Sequence, residues 1–349
     1  MTFSKTTALP GSLLILLPSL VLCLLLPGCG LQKDSPPPEG DSLRRVVLQT
    51  DWFPQPEHGG FYQALAKGFY EEAGLEVIIL PGGPNAMSTQ KILKGDAHFA
   101  MNRADTIYSL AAREVPLLMV MATLQNDPQA LLLHAGNPID RFEELDGEQV
   151  MAVPGLTWIR WLEARYGIDM EIIPHDFGLE RFINDPGFIQ QCLLTNEPYY
   201  VRKAGVEVKV LPLRESGFNP PHGIYCLRET AIENPEMVTR FVQASVRGWR
   251  DFIRNNPAPA FELIARLNPK MTPDFMEFSR NTMIREKLVT GTAKGSGIGF
   301  LDPQRMGQLV RELQKLDIVD PADEPEEPWF TSRFLESFRP GDGPSDALP

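Results

Sequence analysis

The chain of 349 residues is poor in the residues and motifs that mark catalytic or metal sites. Its five histidines do not stand at the spacing of a zinc site. The sequence has no Gly-x-Ser-x-Gly segment, which would indicate a hydrolase nucleophile, and no Gly-Lys-Ser/Thr ending, which would indicate a phosphate-binding loop. We therefore predict neither a metal ion nor a cofactor, and no catalytic residue.

Positive charge is also scarce. The sequence contains 33 Lys and Arg against 45 Asp and Glu, which gives a net charge of −12. Nucleic-acid binding needs a basic face, so DNA and RNA are not expected partners. A hydrophobic content of 43% is normal for a globular protein. A chain of this length can bury one large core or two ordinary ones.

The N-terminal stretch has almost no charge. Lys5 alone precedes an apolar run over residues 13–26, a pattern typical of a secretory signal peptide. The run ends at Leu26-Pro27-Gly28-Cys29, which resembles a bacterial lipobox. We expect residues 1–28 to be a signal peptide and Cys29 to carry lipid, so that an exported chain is anchored to a membrane and faces the periplasm or cell exterior. A plain signal peptide with an incidental cysteine is the alternative.

Strand and helix patterns alternate after a polar, proline-rich tether over residues 29–43. This βαβα rhythm predicts an α/β fold with parallel sheets and helices on both faces. We expect two lobes, with the chain crossing near residues 130–134 and 220–225. Such a hinged pair encloses a ligand in its cleft. The predicted boundaries are residues 44–130 plus 224–340 for lobe 1, 131–223 for lobe 2, and 341–349 for a flexible tail.

The stretch from Asp51 to Tyr62 follows the first predicted strand. Pro54 and Pro56 force a turn there, which leaves an acid and the aromatic Trp52 at the carboxyl end of the strand. Ligands of open α/β sheets bind at this position. We therefore expect Asp51 and Trp52 to contact a ligand, although Trp52 could instead plug the core. His58 is a further candidate, with fixing the loop as its alternative role.

Four further residues are candidate ligand contacts. Gly155 and Thr157 precede a predicted helix, whose N-terminal N–H groups could meet an oxygen or phosphate. Glu197 offers a carboxylate but could only cap the helix that begins at Pro198. Tyr108 could line the pocket or belong to the core, because tyrosine is intermediate in burial. Cys192 and Cys226 could pair or remain separate thiols, since sequence alone does not place them within bridging distance.

Several segments together resemble one family. They are residues 51–54, His58, and residues 67–70, 74–77, 95–100, 196–199 and 216–220. The set is similar to type II solute-binding proteins of bacterial transporters, in the group that shares its fold with thiamine-pyrimidine synthases. The resemblance implies a type II periplasmic-binding-protein fold, in which two Rossmann-like lobes are joined by two crossover strands.

The resemblance also implies a function. We expect a solute-binding lipoprotein that captures an aminopyrimidine thiamine precursor and passes it to ABC permease subunits, acting as a monomer. Trp52 would stack on the ring, and Asp51 or Glu197 would accept from its amino groups. A sulfonate, nitrate, taurine or flavin is the alternative solute. An anion site would need converging cationic or hydroxyl donors. The candidate segments supply few such donors apart from Arg103, Thr157 and Arg160.

A synthase is the alternative from another class. In the enzymes that this chain resembles, a histidine before a Thr-Leu-Ala-Ala-like run is consumed as substrate. Here Tyr108 stands in its place, before Ser109-Leu110-Ala111-Ala112, and Cys226 is alone where a cysteine-rich segment is implied. Tyrosine lacks imidazole nitrogens, and one thiol does not make an iron site. We therefore predict a binding protein rather than an enzyme.

Overall fold

The computed structural model describes residues 43–292 and 297–336. The predictions for the signal peptide, the lipidated Cys29, the tether up to residue 42 and the tail at 341–349 lie outside the described residues. Within the described ranges, no helix combines the length and apolar character that crossing a membrane requires.

Strands and helices alternate along the described residues, as the sequence predicts. The strands are β1 (Arg44–Gln49), β2 (Leu75–Leu80), β3 (Phe99–Arg103), β4 (Leu117–Leu124), β5 (Gln129–His134), β6 (Gln149–Ala152), β7 (Glu171–Pro174), β8 (Ile189–Leu193), β9 (Val208–Pro212) and β10 (His222–Leu227). The helices are α1 (Gly59–Ala66), α2 (Phe69–Glu72), α3 (Ser88–Leu93), α4 (Ala104–Ala111), α5 (Thr157–Tyr166), α6 (Glu180–Asn184), α7 (Glu197–Lys203), α8 (Arg228–Glu233), α9 (Pro235–Arg254), α10 (Ala258–Leu267), α11 (Pro273–Arg285) and α12 (Pro303–Lys315).

The strands form two five-stranded sheets with the same internal order. The first runs β2-β1-β3-β10-β4, and the second runs β7-β6-β8-β5-β9. In the first sheet β1 is parallel to β2 and β3, whereas β10 is antiparallel to β3 and β4. The second sheet repeats this pattern, with β6 parallel to β7 and β8 and with β5 antiparallel to β8 and β9. In each sheet the antiparallel strand is the one by which the chain arrives from the other sheet.

The chain passes between the sheets twice. β4 ends at Leu124 and β5 begins at Gln129 in the other sheet, while β9 ends at Pro212 and β10 begins at His222. The predicted crossings near 130–134 and 220–225 therefore fall on strands that each belong to one sheet. We propose lobe 1 as residues 43–124 and 222–336 and lobe 2 as residues 129–212.

Hydrogen bonds hold the two crossings side by side. Asn219 Oδ1 accepts from the Asp127 backbone N–H at 2.8 Å, and Asn219 Nδ2 donates to Asn126 Oδ1 at 3.0 Å. Arg305 Nη2 donates to the Asn219 carbonyl at 2.7 Å. Two adjacent connections between rigid sheets have the geometry of a hinge.

Helices α1 and α9 pack against each other at very close range. A Cβ on Gly60 would lie 2.1 Å from the ring of Trp249, and one on Gly248 would lie 2.2 Å from the Gly60 carbonyl oxygen. Glycine at both positions is therefore a steric requirement of this contact. Gly68 has a φ of +72° and separates α1 from α2.

Candidate ligand-binding site between the two sheets

A cavity of about 300 Å³ lies between the two sheets and is lined by residues of both lobes. Lobe 1 contributes the loop after β1, the end of β3 and the start of β10, and lobe 2 contributes the loops after β6, β7 and β8. Most of these segments follow the carboxyl ends of parallel strands, where open α/β sheets bind ligands. The two crossings place the two sets of loops opposite each other.

Asp51 and His58, two of the candidate ligand contacts, lie on the cavity wall. The buried His58 ring and the Asp51 carboxylate are joined by a hydrogen bond of 2.8 Å between Nε2 and Oδ1. Burial alone would raise the pKa of Asp51, but the hydrogen bond and charge of His58 outweigh it and lower that pKa below its ordinary value. This hydrogen bond links the two ends of the loop after β1 and favours the ionised form of Asp51.

Trp52 also lines the cavity and meets an aromatic residue of the other lobe. Its ring centroid is 5.4 Å from that of Phe177, which follows β7. Phe177 has a φ of +61°, an uncommon conformation for an aromatic residue. Its N–H donates to His175 Nδ1 at 2.8 Å, and its ring stacks on the His175 ring. Trp52 and Phe177 thus contact each other across the cleft.

Two carboxyl groups line the cavity besides Asp51. Glu197 begins α7, and its Oε2 accepts from the Leu193 backbone N–H at 2.7 Å. Burial raises the pKa of Glu197 to about 7, and the neighbouring charge of Glu57 adds to the effect. Glu57 lies in a short 3₁₀ helix, Pro56–His58, and its Oε1 accepts from the Thr195 hydroxyl of lobe 2. Burial also raises the pKa of Glu57.

Glu57 and Phe177 line the cavity but are not among the candidate contacts that the sequence indicates. Glu57 lies between Asp51 and His58 in the sequence, and this position is the signal that points to it. Phe177 gives only a weak signal, an aromatic residue shortly after a predicted strand. Neither the interlobe contact of Glu57 nor that of Phe177 follows from local pattern, because both depend on how the two sheets face each other.

The structure does not bring Tyr108 to the cavity. Its side chain is fully buried in α4, its hydroxyl accepts from Gln314 Nε2 at 3.4 Å, and its ring packs 5.3 Å from that of Trp329. The expectation that Tyr108 contacts ligand is therefore corrected, because its polar atom is turned toward α12 and the C-terminal segment. The helix face that carries Tyr108 belongs to the core.

Gly155 and Thr157 lie beside the cavity rather than on its wall. Gly155 has a φ of +80° in the turn before α5. Thr157 begins α5, and its side chain helps to lower the pKa of Asp105 of lobe 1. The lining residues of this segment are Val153 and Leu156. The turn before α5 thus lies next to the cavity. The side chains that line the cavity there are the apolar Val153 and Leu156, rather than Gly155 and Thr157.

The guanidinium groups near the cavity are already engaged. Arg103 is the one Lys or Arg on the described cavity wall, and it donates through Nε and Nη2 to Asp105 at 3.1 and 2.9 Å. Both side chains are buried. Arg160 donates through Nη2 to the Asp317 carbonyl at 2.6 Å. The wall thus presents three carboxyl groups and one neutralised guanidinium, which disfavours an anionic ligand.

The raised pKa of Glu197 predicts a pH-dependent stability. At pH 4 this carboxyl is protonated in both states, but between its ordinary pKa and about 7 it ionises in the unfolded chain first, so stability falls as the pH rises. Glu197→Gln cannot ionise. We expect it to match the wild type near pH 4 and to exceed its unfolding free energy by about 1–2 kcal/mol at pH 8, allowing for partial exposure.

Urea unfolding between pH 4 and pH 8 measures this difference. The exposed Glu233→Gln is the matched control, and its unfolding free energy should stay within about 0.5 kcal/mol of that of the wild type. A Glu197→Gln curve parallel to that of the wild type at every pH would contradict the expectation.

The described residues include no group of three His, Cys, Asp or Glu side chains that could hold a metal ion. Cys192 and Cys226 are free and buried, one in β8 and the other in β10, which belong to different sheets. The two thiols therefore do not form a disulfide, which the sequence alone left open.

Known protein structures confirm the predicted fold. The periplasmic aliphatic sulphonate binding protein SsuA from Escherichia coli superimposes with a TM-score of 0.59 at 14% identity, covering 88% of this chain and 97% of that chain. A putative sulfonate-binding SsuA from Methylobacillus flagellatus gives a TM-score of 0.60 at 13% identity, with 85% and 94% covered. At these identities the likeness establishes the periplasmic-binding-protein fold and not the ligand.

Relatives in sequence extend over most of the chain. The riboflavin-binding protein RibY of Chloroflexus aurantiacus is 26% identical over 316 residues, which cover 86% of this chain and 87% of that protein. The 4-amino-5-hydroxymethyl-2-methylpyrimidine phosphate synthase of Legionella pneumophila is 23% identical over 307 residues, covering 83% and 92%. The model of the family described as NMT1/THI5 like matches residues 55–260, more than half of the chain. The chain therefore belongs to the NMT1/THI5-like family.

Proposed function

We propose that the protein is a solute-binding protein that holds a small heterocycle between its two lobes and delivers it to an ABC importer. The observation that carries this proposal is the cavity itself, which is walled by both lobes and bounded by the Trp52–Phe177 contact. A cavity whose walls belong to two hinged lobes opens and closes as the lobes move. Binding and release then need no chemical step.

An aminopyrimidine thiamine precursor is the ligand that we propose. The volume of about 300 Å³ is near the lower end of the range for small-molecule pockets, which suits a single ring. An aromatic side chain such as Trp52 stabilises a stacked ring by ~1–3 kcal/mol, by analogy with nucleobases. Glu197, with a pKa of about 7, can hydrogen-bond to a ring nitrogen and an amino group together. The Arg103–Asp105 pair argues against a sulfonate or nitrate.

A flavin is the second candidate. The riboflavin-binding relative extends over 86% of this chain, and a flavin presents a flat, nitrogen-rich ring to the same aromatic and carboxyl side chains. The cavity would have to widen for the larger ring system, and lobe opening supplies that freedom.

The location and partners of the protein form part of the proposal. We propose an exported monomer that is anchored through lipid on Cys29 and that docks on permease subunits. The lipobox-like sequence at residues 26–29 supports the anchor. Mass spectrometry of the membrane-extracted protein tests it, because acylation at Cys29 would add the mass of the lipid and remove residues 1–28.

A pyrimidine synthase is the rival from another class, since several relatives carry that name. Tyr108 supports the binding-protein proposal, because it stands where the resemblance implies a substrate histidine and its side chain is packed against Trp329 and Gln314. Purified protein given pyridoxal phosphate and iron should form no pyrimidine product. Formation of that product would overturn the proposal.

A thermal-shift panel tests the ligand. At a concentration of one hundred times its Kd, a ligand stabilises the folded state by about 2.7 kcal/mol. We expect 4-amino-5-hydroxymethyl-2-methylpyrimidine to raise the Tm, riboflavin to raise it less, and an alkanesulfonate or nitrate to leave it unchanged. A shift with riboflavin alone would select the second candidate. A shift with the alkanesulfonate alone would contradict both.

A further inference from the structure

Glu57 occupies a position that the two lobes share. It belongs to the 3₁₀ helix Pro56–His58 of lobe 1, its side chain is 5% exposed, and it lines the cavity. Its Oε1 accepts a hydrogen bond from the Thr195 hydroxyl of lobe 2. Its other oxygen, Oε2, is buried and has no hydrogen-bond partner in the part of the chain that the structure describes.

The neighbouring His58 leaves a second buried atom without a partner. Its Nε2 is bonded to the Asp51 carboxylate, which can only accept, so this nitrogen carries the proton. Its other nitrogen, Nδ1, is also buried and has no hydrogen-bond partner among the described residues. Two unpaired polar atoms on one turn therefore belong to residues that line the cavity.

Buried polar atoms are almost always hydrogen-bonded, and an unpaired one weakens the folded state. An unpaired acceptor on the wall of a binding cavity is satisfied when a ligand supplies the donor. The carboxylate oxygen of Glu57 can only accept, so the group that complements it is an N–H or O–H donor. A methyl or ether group in the same place would leave this acceptor unsatisfied.

We propose that Glu57, with His58 beside it, selects ligands that carry an N–H donor, such as an exocyclic amino group or a ring imide. This inference rests on the proposed function, since it concerns a heterocycle in the same cavity. Thr195 is the positioning residue, because its hydroxyl holds the Glu57 carboxylate from the opposite lobe when the lobes meet.

Matched ligand pairs test the selection directly. The first pair is 4-amino-5-hydroxymethyl-2-methylpyrimidine and its 4-methoxy analogue, which lacks the amino N–H. The second pair is riboflavin and N3-methylriboflavin, which lacks the imide N–H. Isothermal titration of the whole protein measures the affinity ratio within each pair for the wild type and for Glu57→Met, Glu57→Gln and Thr195→Val.

We expect the wild type to bind the N–H-bearing member roughly ten- to hundredfold more tightly. Glu57→Met keeps the size of the side chain but removes the acceptor, so its ratio should fall below about twofold. Glu57→Gln retains an acceptor oxygen and should restore part of the ratio. Thr195→Val should lower the ratio only in part, because Glu57 keeps its acceptor oxygens but loses the hydroxyl that positions them.

The outcomes separate the two proposals. If only the flavin pair binds, the aminopyrimidine assignment fails and the flavin ratio decides the role of Glu57. If neither pair binds the wild type, both proposals fail. A wild-type ratio near one, or an unchanged ratio in Glu57→Met, overturns the inference while leaving the solute-binding function in place. Should Glu57→Met not fold, an unchanged ratio in Glu57→Gln overturns it, since an amide accepts more weakly than a carboxylate.

Discussion

Asp105→Ala is expected to lower the free energy of unfolding by about 3–5 kcal/mol, because it leaves the buried Arg103 guanidinium without its counterion. The wild-type pair is bidentate, and the two side chains are 7% and 0% exposed. Burial alone would raise the pKa of Asp105, but the charge of Arg103 outweighs it and lowers that pKa. Urea unfolding at neutral pH measures the loss.

Two controls separate the buried charge from other effects. Glu236→Ala removes an exposed ion pair with Arg240 and should change stability by at most about 0.5 kcal/mol. The double variant Arg103→Met with Asp105→Leu removes both charges and should recover most of the loss. A double variant as unstable as Asp105→Ala would show that packing, rather than the unpaired charge, explains the effect.

Gly82→Ala is expected to disturb the loop that carries Asp51 and Trp52. A Cβ at Gly82 would lie 2.3 Å from the Thr50 carbonyl oxygen and 2.6 Å from the Trp52 backbone nitrogen. These are backbone atoms, so the contact is relieved only by moving the loop, which also breaks the 2.9 Å hydrogen bond from Gly82 N to Trp52 O. We expect a loss of about 2–3 kcal/mol in stability and at least about tenfold in ligand affinity.

Gly136→Ala is the matched control for this substitution. A Cβ there meets nothing within 4 Å, and its backbone is not in the left-handed region. It should leave stability within about 0.5 kcal/mol of the wild type and affinity unchanged. If Gly82→Ala binds ligand as tightly as Gly136→Ala does, the loop after β1 does not position the ligand.

The sequence predicts the sheets well because their residues carry the pattern locally. All eight residues of β4 are buried, which is the continuous apolar run of a covered sheet. The exact crossings were harder to place, because the connections at 125–128 and 213–221 lack a distinctive pattern and owe their position to the contacts of Asn219 with Asn126 and Asp127. The separation of α1 from α2 at Gly68 likewise follows from the backbone conformation of that glycine.

Part of the candidate site was also predictable from local sequence pattern. Asp51, Trp52 and His58 follow a strand directly, and the structure places all three at the cavity. Tyr108 lies on an apolar helix face, and sequence does not reveal whether such a face meets a cavity or a neighbouring segment such as that of Trp329. Glu57 and Phe177 were missed because their importance arises from contacts between residues far apart in the chain.

A structure determined with 4-amino-5-hydroxymethyl-2-methylpyrimidine bound tests the central claim most directly. The account predicts the ring between the two sheets, in contact with the Trp52 indole and hydrogen-bonded to carboxyl groups of both lobes, Glu57 and Glu197. A ring bound outside this cavity, or held by Arg103 with the carboxyl groups turned away, would contradict it.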